Sequence, residues 1–340
     1  MDYVTQGYED MELSTQLLVK EALARGARVE ILDRSDNFIL VEKGGRRELV
    51  KQATRTSADG YASALAMENK EVAKRLLSAA GVRVPRGFLA LDRARAAAFA
   101  ASFAGASLVV KPRSTNFGEG VAILGPGRMD AETEAAVDAA FALDTGVIVE
   151  EFVPGDEFRF LVIGGRTRAV LHRAPANVRG DGASTIRALV ELKNAHPYRG
   201  EGYHSPLEKI RLGETELAFL AAAGLGPDSV PEAGRRVYLR KNSNISTGGD
   251  SIDYTDAMGD SYKRVAERAT AACGAAISGV DMIVPDPKDE SEGAGYAVIE
   301  LNYNPALHIH DFPAEGLNRR VERFVLDLIG IVGDSGEEGR

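Results

Sequence analysis

The sequence predicts an α/β fold with partly antiparallel sheets, organised in two or three packed lobes. Helical stripes alternate with short apolar runs along the chain. Several of those runs are joined by turns too short for the crossover that a parallel pair needs. At 340 residues the chain also exceeds what one small core organises, so two or three packed lobes are expected.

The elements follow in chain order. Leu13 to Arg25 carries Leu13, Leu17, Leu18 and Ala22 as a helical stripe, with Gly26 as its stop and RVEIL (Arg28–Leu32) as a strand beyond. Glu68 and Asn69 open a second helix bearing Val72, Leu76, Leu77 and Ala80, closed by Gly81 with Pro85 just after. Alanine-rich Arg93–Ala104 reads as a third helix, and SLVVK (Ser107–Lys111) and VIVEEF (Val147–Phe152) read as strands. Phe158–Ile163 and Arg168–His172 flank Gly164-Gly165, the signature of a hairpin. The polar stretch from Gly180 to Pro231, with two short helical patterns, reads as a mobile cover. Asp256–Ala276 is a long helix, and the apolar strands Gly279–Val284 and Tyr296–Leu301 enclose a solvated loop, PDPKDESEGAG. The tail GDSGEEGR is expected to fray.

Composition excludes several functions. The net charge of −9 offers no chain-wide basic field for nucleic acid or an anionic membrane. A lone cysteine, Cys273, rules out an internal disulfide and dithiol redox chemistry and suits a reducing cytoplasm. The N-terminus shows no secretory pattern, and no apolar run reaches the ~18 residues of a membrane span.

Four stretches carry chemistry. In VVKPRSTNFGEG (Val109–Gly120) a buried strand delivers Lys111 to a loop containing Ser114, Thr115, Asn116, Gly118 and Gly120. Backbone amides in such a loop can approach phosphate closely, and the lysine supplies a compact charge. The spacing matches neither the P-loop nor the dinucleotide fingerprint. Taken alone, the stretch is equally a surface turn bearing one lysine. VEEFVPGDEFR (Val149–Arg159) interrupts an apolar strand with Glu150, Glu151 and Glu157; it is either a nucleotide-gripping edge, with Glu157 on ribose hydroxyls, or a solvated edge strand. In SGVDMIVPD and YAVIELNYNP, Asp281 and Glu300 each lie inside an apolar run, and Asn302 shares a strand face with Glu300. Pairing those strands makes an all-oxygen site suited to Mg²⁺ shared with nucleotide phosphates. Without a cation the two carboxylates need another partner, for which Arg240 is a candidate. Finally, LRKNSNISTGGDSIDYTD (Leu239–Asp256) sets Arg240 before hydroxyls and free amides that can surround an anion, or it is simply the turn before the next helix. His308 and His310 form an HxH pair that could bind a transition metal if extended, although no other nitrogen or sulfur ligands adjoin it; His310 is alternatively a candidate for positioning substrate.

Together these stretches resemble the ATP-grasp superfamily and, within it, the glutathione synthetase domain of bifunctional bacterial glutathione-forming enzymes. The likeness runs from about Glu12 to about Val325 through MELSTQLLVKEALARG, MENKEVAKRLLSAAGVRVP, VVKPRSTNFGEG, RAPANVRGDG, NSNISTGGDSIDYTD and ELNYNP. The GDG, RGEG, DSVP and STGG stretches and a His near FPAEG are similar to cyanophycin synthetases. The resemblance implies an N-terminal lobe over 1–66, a small lid lobe over 67–155, a large lobe with the metal and substrate site over 156–333, and a tail over 334–340. It implies ATP held by Lys70, Lys111 and the Ser114–Gly120 lid, with Glu150, Glu151, Phe152 and Val153 along adenine and Glu157 on ribose. Asp281, Glu300 and Asn302 would hold two Mg²⁺, with Mn²⁺ as a substitute. Arg240 and Lys111 would stabilise the transferring phosphoryl, and Arg159, Arg173, Asn177, Ser246, Thr247, Gly248, Gly249 and His310 would hold substrate. The implied reaction joins a carboxylate, activated as an acyl phosphate, to an amine of a small amino-acid or peptide substrate, in a cytoplasmic enzyme and a homodimer. Glutathione formation from γ-glutamylcysteine and glycine is the first expectation. Another peptide or amino-acid ligase and a non-catalytic nucleotide-binding module are the alternatives. Relatives of that kind carry a glutamate–cysteine ligase ahead of the ATP-grasp part, which these residues do not include. Where they have a Met-rich run after NP, this chain has Pro305-Ala306-Leu307-His308-Ile309-His310.

Overall fold

The computed structural model describes residues 3–103, 105–114, 120–127, 129–202, 204–289 and 295–333. The helix Leu13–Ala24 turns Leu18, Val19 and Ala22 inward. It stops at Gly26, whose φ of +74° suits a residue without Cβ. Its apolar face packs on a three-stranded antiparallel meander, Arg28–Asp33, Phe38–Lys43 and Arg46–Lys51. Sequence reading had the first of these strands and not the other two.

The central element is a five-stranded antiparallel sheet in the order Asp250–Asp253, Arg166–Ala174, Asp156–Ile163, Ile277–Val284, Ala297–Asn302. Gly164 and Gly165, at φ +62° and +72°, close the expected hairpin as a two-residue turn between paired Ile163 and Arg166. One sheet face is largely apolar. Phe158, Phe160, Val170, Val280 and Met282 pack against Val265, Ala266 and Ala269 of the helix Asp260–Ala272 and against Ala73 and Leu77 of the helix Lys70–Ala79.

A smaller antiparallel sheet runs Gly87–Ala90, Val147–Glu151, Leu108–Pro112, Ala122–Leu124. Leu108, Val110, Val147 and Val149 face the helices Arg93–Ala101 and Asp130–Leu143, so the alternate residues face the other way. The expected cover over 180–231 forms the helices Ile186–Asn194 and Glu214–Ala222, with its own core on the strands Asn177–Arg179 and Arg236–Tyr238. The tail over 334–340 and part of the 285–295 loop lie outside the described residues.

The condition for the HxH pair to bind a metal is not met: His308–Asp311 is a short helix, not a strand. Asp311, the last residue of that helix and 2% exposed, faces Glu322. Asp311 Oδ2 and Glu322 Oε2 have no hydrogen-bond donor among the described groups. Burial, then the neighbouring Glu322, pushes Asp311 up to about 9. The folded chain thus keeps a proton that the unfolded chain loses near the ordinary value of 3.8. Stability from this pair is full below that pH and falls as pH rises toward about 9. Asp311→Asn, whose amide can donate to Glu322, is expected to flatten the urea midpoint between about pH 5 and pH 9. Parallel wild-type and variant curves would mean that Asp311 keeps no such proton.

Candidate functional site

The second face of the five-stranded sheet changes character along its strands. Leu161, Ile163, Ala169 and Ile277 are buried against the N-terminal lobe. Farther along, the same face carries Glu157, Arg159, Arg173, Asp281, Glu300 and Asn302, because side chains on one face recur every second residue. Strand register sets Arg159 opposite Asp281 and Asp281 opposite Glu300, a charged row across three strands.

Asp281 is 1% exposed and clasped on both oxygens. Arg159 Nε donates to Oδ1 and Nη2 to Oδ2 at 2.8 Å; Arg173 Nη1 and Asn302 Nδ2 reach Oδ2 at 3.3 and 3.4 Å. Burial alone would raise its pKa, but Arg159 and Arg173 outweigh that and hold it below the usual carboxylate value. Glu157 accepts from Ser243 Oγ at 2.6 Å and pairs with Arg173 at 2.5 Å; burial dominates there and pushes it up. Glu300 is looser, with a side chain 41% exposed and Lys70 at 3.8 Å.

The small sheet presents Val109, Lys111, Ile148 and Glu150 on its non-core face. Glu150 is 4% exposed and accepts from Lys111 and from Lys74 Nζ, the latter at 2.5 Å. Burial raises its pKa, yet the two ammonium groups more than offset that and keep it below the ordinary value. Gly87 lies opposite, where a Cβ would come 2.6 Å from Glu150 Cβ. Lys70 and Lys74 stand one turn apart on a helix whose N-cap, Asn69, accepts from Glu71 N and Val72 N.

These two polar faces enclose a cleft of about 640 Å³ that brings together Lys70, Lys111, Glu150–Val153, Glu157, Arg159, Arg173, Asp281, Glu300 and Asn302. A further cavity of about 1000 Å³ shares Lys70, Glu300 and Asn302 with it and extends to Lys74 and Ser114. Five groups distant in sequence, two lysines and three oxygen donors, thus meet in one space between lobes.

Comparison with known proteins agrees with this architecture. The model of an ATP-grasp-like domain matches residues 9–62. The glutathione biosynthesis bifunctional protein of Listeria innocua is 49% identical over 327 residues, 96% of this chain and 42% of that protein. Its counterpart from Clostridium perfringens is 49% identical over 326 residues, 95% of this chain and 42% of that protein. The crystal structure of a bifunctional glutathione synthetase from Pasteurella multocida superposes with a TM-score of 0.79 at 44% identity, covering 96% of this chain and 44% of that one. This chain has the ATP-grasp fold. It spans less than half the length of these relatives.

On the ATP-grasp frame, several sequence-expected residues lie elsewhere. Arg240 does not line the cleft; its guanidinium pairs with buried Glu216 of the cover helix. Among the described residues, the guanidinium groups lining the cleft are those of Arg159 and Arg173. Asn177 lies beneath the cover, where its amide donates to Asp250 Oδ2 at 2.9 Å alongside Lys193 and Arg199. Ser246 lines the cleft, whereas Thr247, Gly248 and Gly249 form the turn behind it, close against Ile210 and Asn244. His310 is 0% exposed with neither ring nitrogen hydrogen-bonded, and burial pushes it down to about 3. His308, two residues earlier, lines the cleft instead. Of the expected lid, Ser114 N donates to Asp144 at 2.6 Å, and Gly120, at φ +72°, sits where a Cβ would meet Leu143 and Pro112. Thr115, Asn116 and Gly118 lie outside the described residues. Lys74, which sequence reading missed, follows Lys70 by four residues in a helical stretch, and that spacing was its signal.

ATP-grasp enzymes use ATP and a divalent metal. Among the described residues no three carboxylate, His or Cys side chains are grouped as a metal cage. Two carboxylates and an amide oxygen fit an ion that takes its remaining ligands from phosphates and water, as Mg²⁺ does.

Proposed function

We propose that this chain is an ATP-dependent carboxylate–amine ligase of the glutathione synthetase kind, joining γ-glutamylcysteine to glycine with release of ADP and phosphate. The meeting of Lys70 and Lys111 with Asp281, Glu300 and Asn302 in one cleft carries this reading, and the 49% identity to proteins named for glutathione biosynthesis supports it. Lys70 and Lys111 bind phosphate oxygens; Glu150 holds the Lys111 ammonium in place from below. Phe152 and Val153 border the base and Glu157 the ribose. Asp281, Glu300 and Asn302 would hold two Mg²⁺, which supply charge neutralisation on the triphosphate when bound. The guanidinium role expected of Arg240 passes to Arg159 and Arg173, which face the carboxylate as it takes the phosphoryl group. Phosphorylation turns a poor leaving group into a good one, and the amine then attacks the acyl phosphate. The cover over 180–231 excludes water that would hydrolyse that intermediate. No protein nucleophile is needed, in keeping with Cys273, whose thiol burial pushes up, and with a cytoplasmic setting.

Purified protein with ATP, Mg²⁺, γ-glutamylcysteine and glycine is expected to release ADP and form the tripeptide in equal amounts. A panel of other amino-acid and peptide pairs, read by ADP release, separates this from another ligase specificity. ATP-induced thermal stabilisation with no ADP from any pair would leave only a nucleotide-binding module.

A further inference from the structure

The cleft wall contains a histidine whose hydrogen position can be deduced from its surroundings. His308 Nδ1 lies 2.9 Å from Ser14 Oγ, on the second residue of the N-terminal helix. The same hydroxyl oxygen accepts from Leu307 N at 3.0 Å and, more weakly, from His308 N at 3.5 Å. Its lone pairs are thereby occupied, and among the described residues its own hydrogen has no acceptor other than Nδ1. Ser14 therefore donates to Nδ1, and the neutral ring carries its hydrogen on Nε2. Burial holds the imidazole at about 4, so it is uncharged near neutral pH. His308 lines the cleft beside Ala306 and Ile309, and Nε2 has no hydrogen-bond partner among the described residues. His310, one residue beyond Ile309, differs: it is wholly buried and lines no part of the cleft.

We propose that His308 is a specificity-determining residue: its Nε2–H donates to the amide carbonyl oxygen of a peptide acyl donor, and Ser14 is the positioning residue that fixes the tautomer. This rests on the ligase reading above. Arg159 and Arg173 supply the cationic partners that a substrate carboxylate prefers. An uncharged donor flanked by Ala306 and Ile309 suits an uncharged acceptor, and in a peptide that is the amide carbonyl. The site then favours a peptide over a free amino acid as the group to be activated, because a single amino acid leaves the Nε2–H unpaired.

The test varies γ-glutamylcysteine at saturating ATP and glycine. His308→Phe is expected to raise KM for the peptide by about 10- to 100-fold, with KM for ATP unchanged. His308→Gln, which returns an N–H donor, is expected to recover most of that loss. Histidine-selective ¹⁵N spectra of the wild-type chain are expected to show His308 protonated on Nε2, and Ser14→Ala to disturb that tautomer. Unchanged peptide KM in His308→Phe, or a hydrogen found on Nδ1, overturns the proposal and leaves the ligase reading intact. A wild-type chain that forms no ADP with any pair overturns the ligase reading, whereas the tautomer is read without turnover. If His308→Phe does not fold, the glutamine variant and the spectra decide.

Discussion

Glu300→Gln is expected to lower turnover by about 10²- to 10³-fold while moving Tm by less than about 2 °C. The side chain is 41% exposed, and its ion pair with Lys70 at 3.8 Å is the kind of surface contact that contributes little to stability. Its position in the row beside Asp281, facing the two lysines, is what the proposed chemistry needs. Replacing one carboxylate oxygen by an amide nitrogen removes a charge where a cation must sit and leaves volume unchanged. Lys111→Ala is expected to lose as much activity yet behave differently in the melt. There Glu150, 4% exposed, keeps only Lys74, and a buried carboxylate short of a partner costs about 1–3 kcal/mol. Steady-state ADP release together with thermal melts checks the pair. Equal activity in Glu300→Gln and wild type would remove Glu300 from the metal site, and equal melting of Lys111→Ala and wild type would mean that Glu150 does not depend on that ammonium.

That contrast also shows what a sequence can and cannot convey here. Lys111 and Glu300 were legible because each breaks an apolar strand run, and a strand fixes its face by counting residues in twos. The Arg159–Asp281–Glu300 row follows from the same rule once the register is known, but register is a long-range fact. Arg159 and Asp281 are 122 residues apart, and nothing local to either announces the ion pair. Arg240 was misplaced for the same reason: its partner Glu216 lies in the cover, a region whose polar composition gave no contacts. The histidine pair turned on a smaller ambiguity. Four residues do not declare their period; as a strand His308 and His310 would share one face, and as a helix they point in well-separated directions. The second hairpin of the N-terminal meander had a signal, since Gly44 and Gly45 between FILVEK and RRELVK repeat the two-glycine turn recognised at Gly164 and Gly165.

Arg159→Leu is expected to be the most destabilising single change at the site, by about 3–5 kcal/mol, because it strips the nearest counter-charge from an aspartate with 1% exposure. Arg173 remains, but at 3.3 Å from Asp281 and with its other nitrogen committed to Glu157 at 2.5 Å. The pH dependence has a definite sign. Asp281 has a folded pKa below 3.8, so its contribution is fully present above that pH and is lost as pH falls through the lower folded value. Without Arg159 the depression shrinks, and the acid limb of the stability curve moves to higher pH. Removing the aspartate as well should restore much of the loss, since a buried pair replaced by apolar side chains is often neutral where half a pair is not. Urea denaturation of Arg159→Leu, Asp281→Leu and the double variant at two pH values measures this as a coupling energy. Simple additivity would mean that the two side chains do not meet in solution. A large coupling would mean that the carboxylate proposed to bind a metal is held by arginine when no nucleotide is bound. Asp281, Glu300 and Asn302 would then hold an ion only in competition with Arg159, whose guanidinium lines the same cleft.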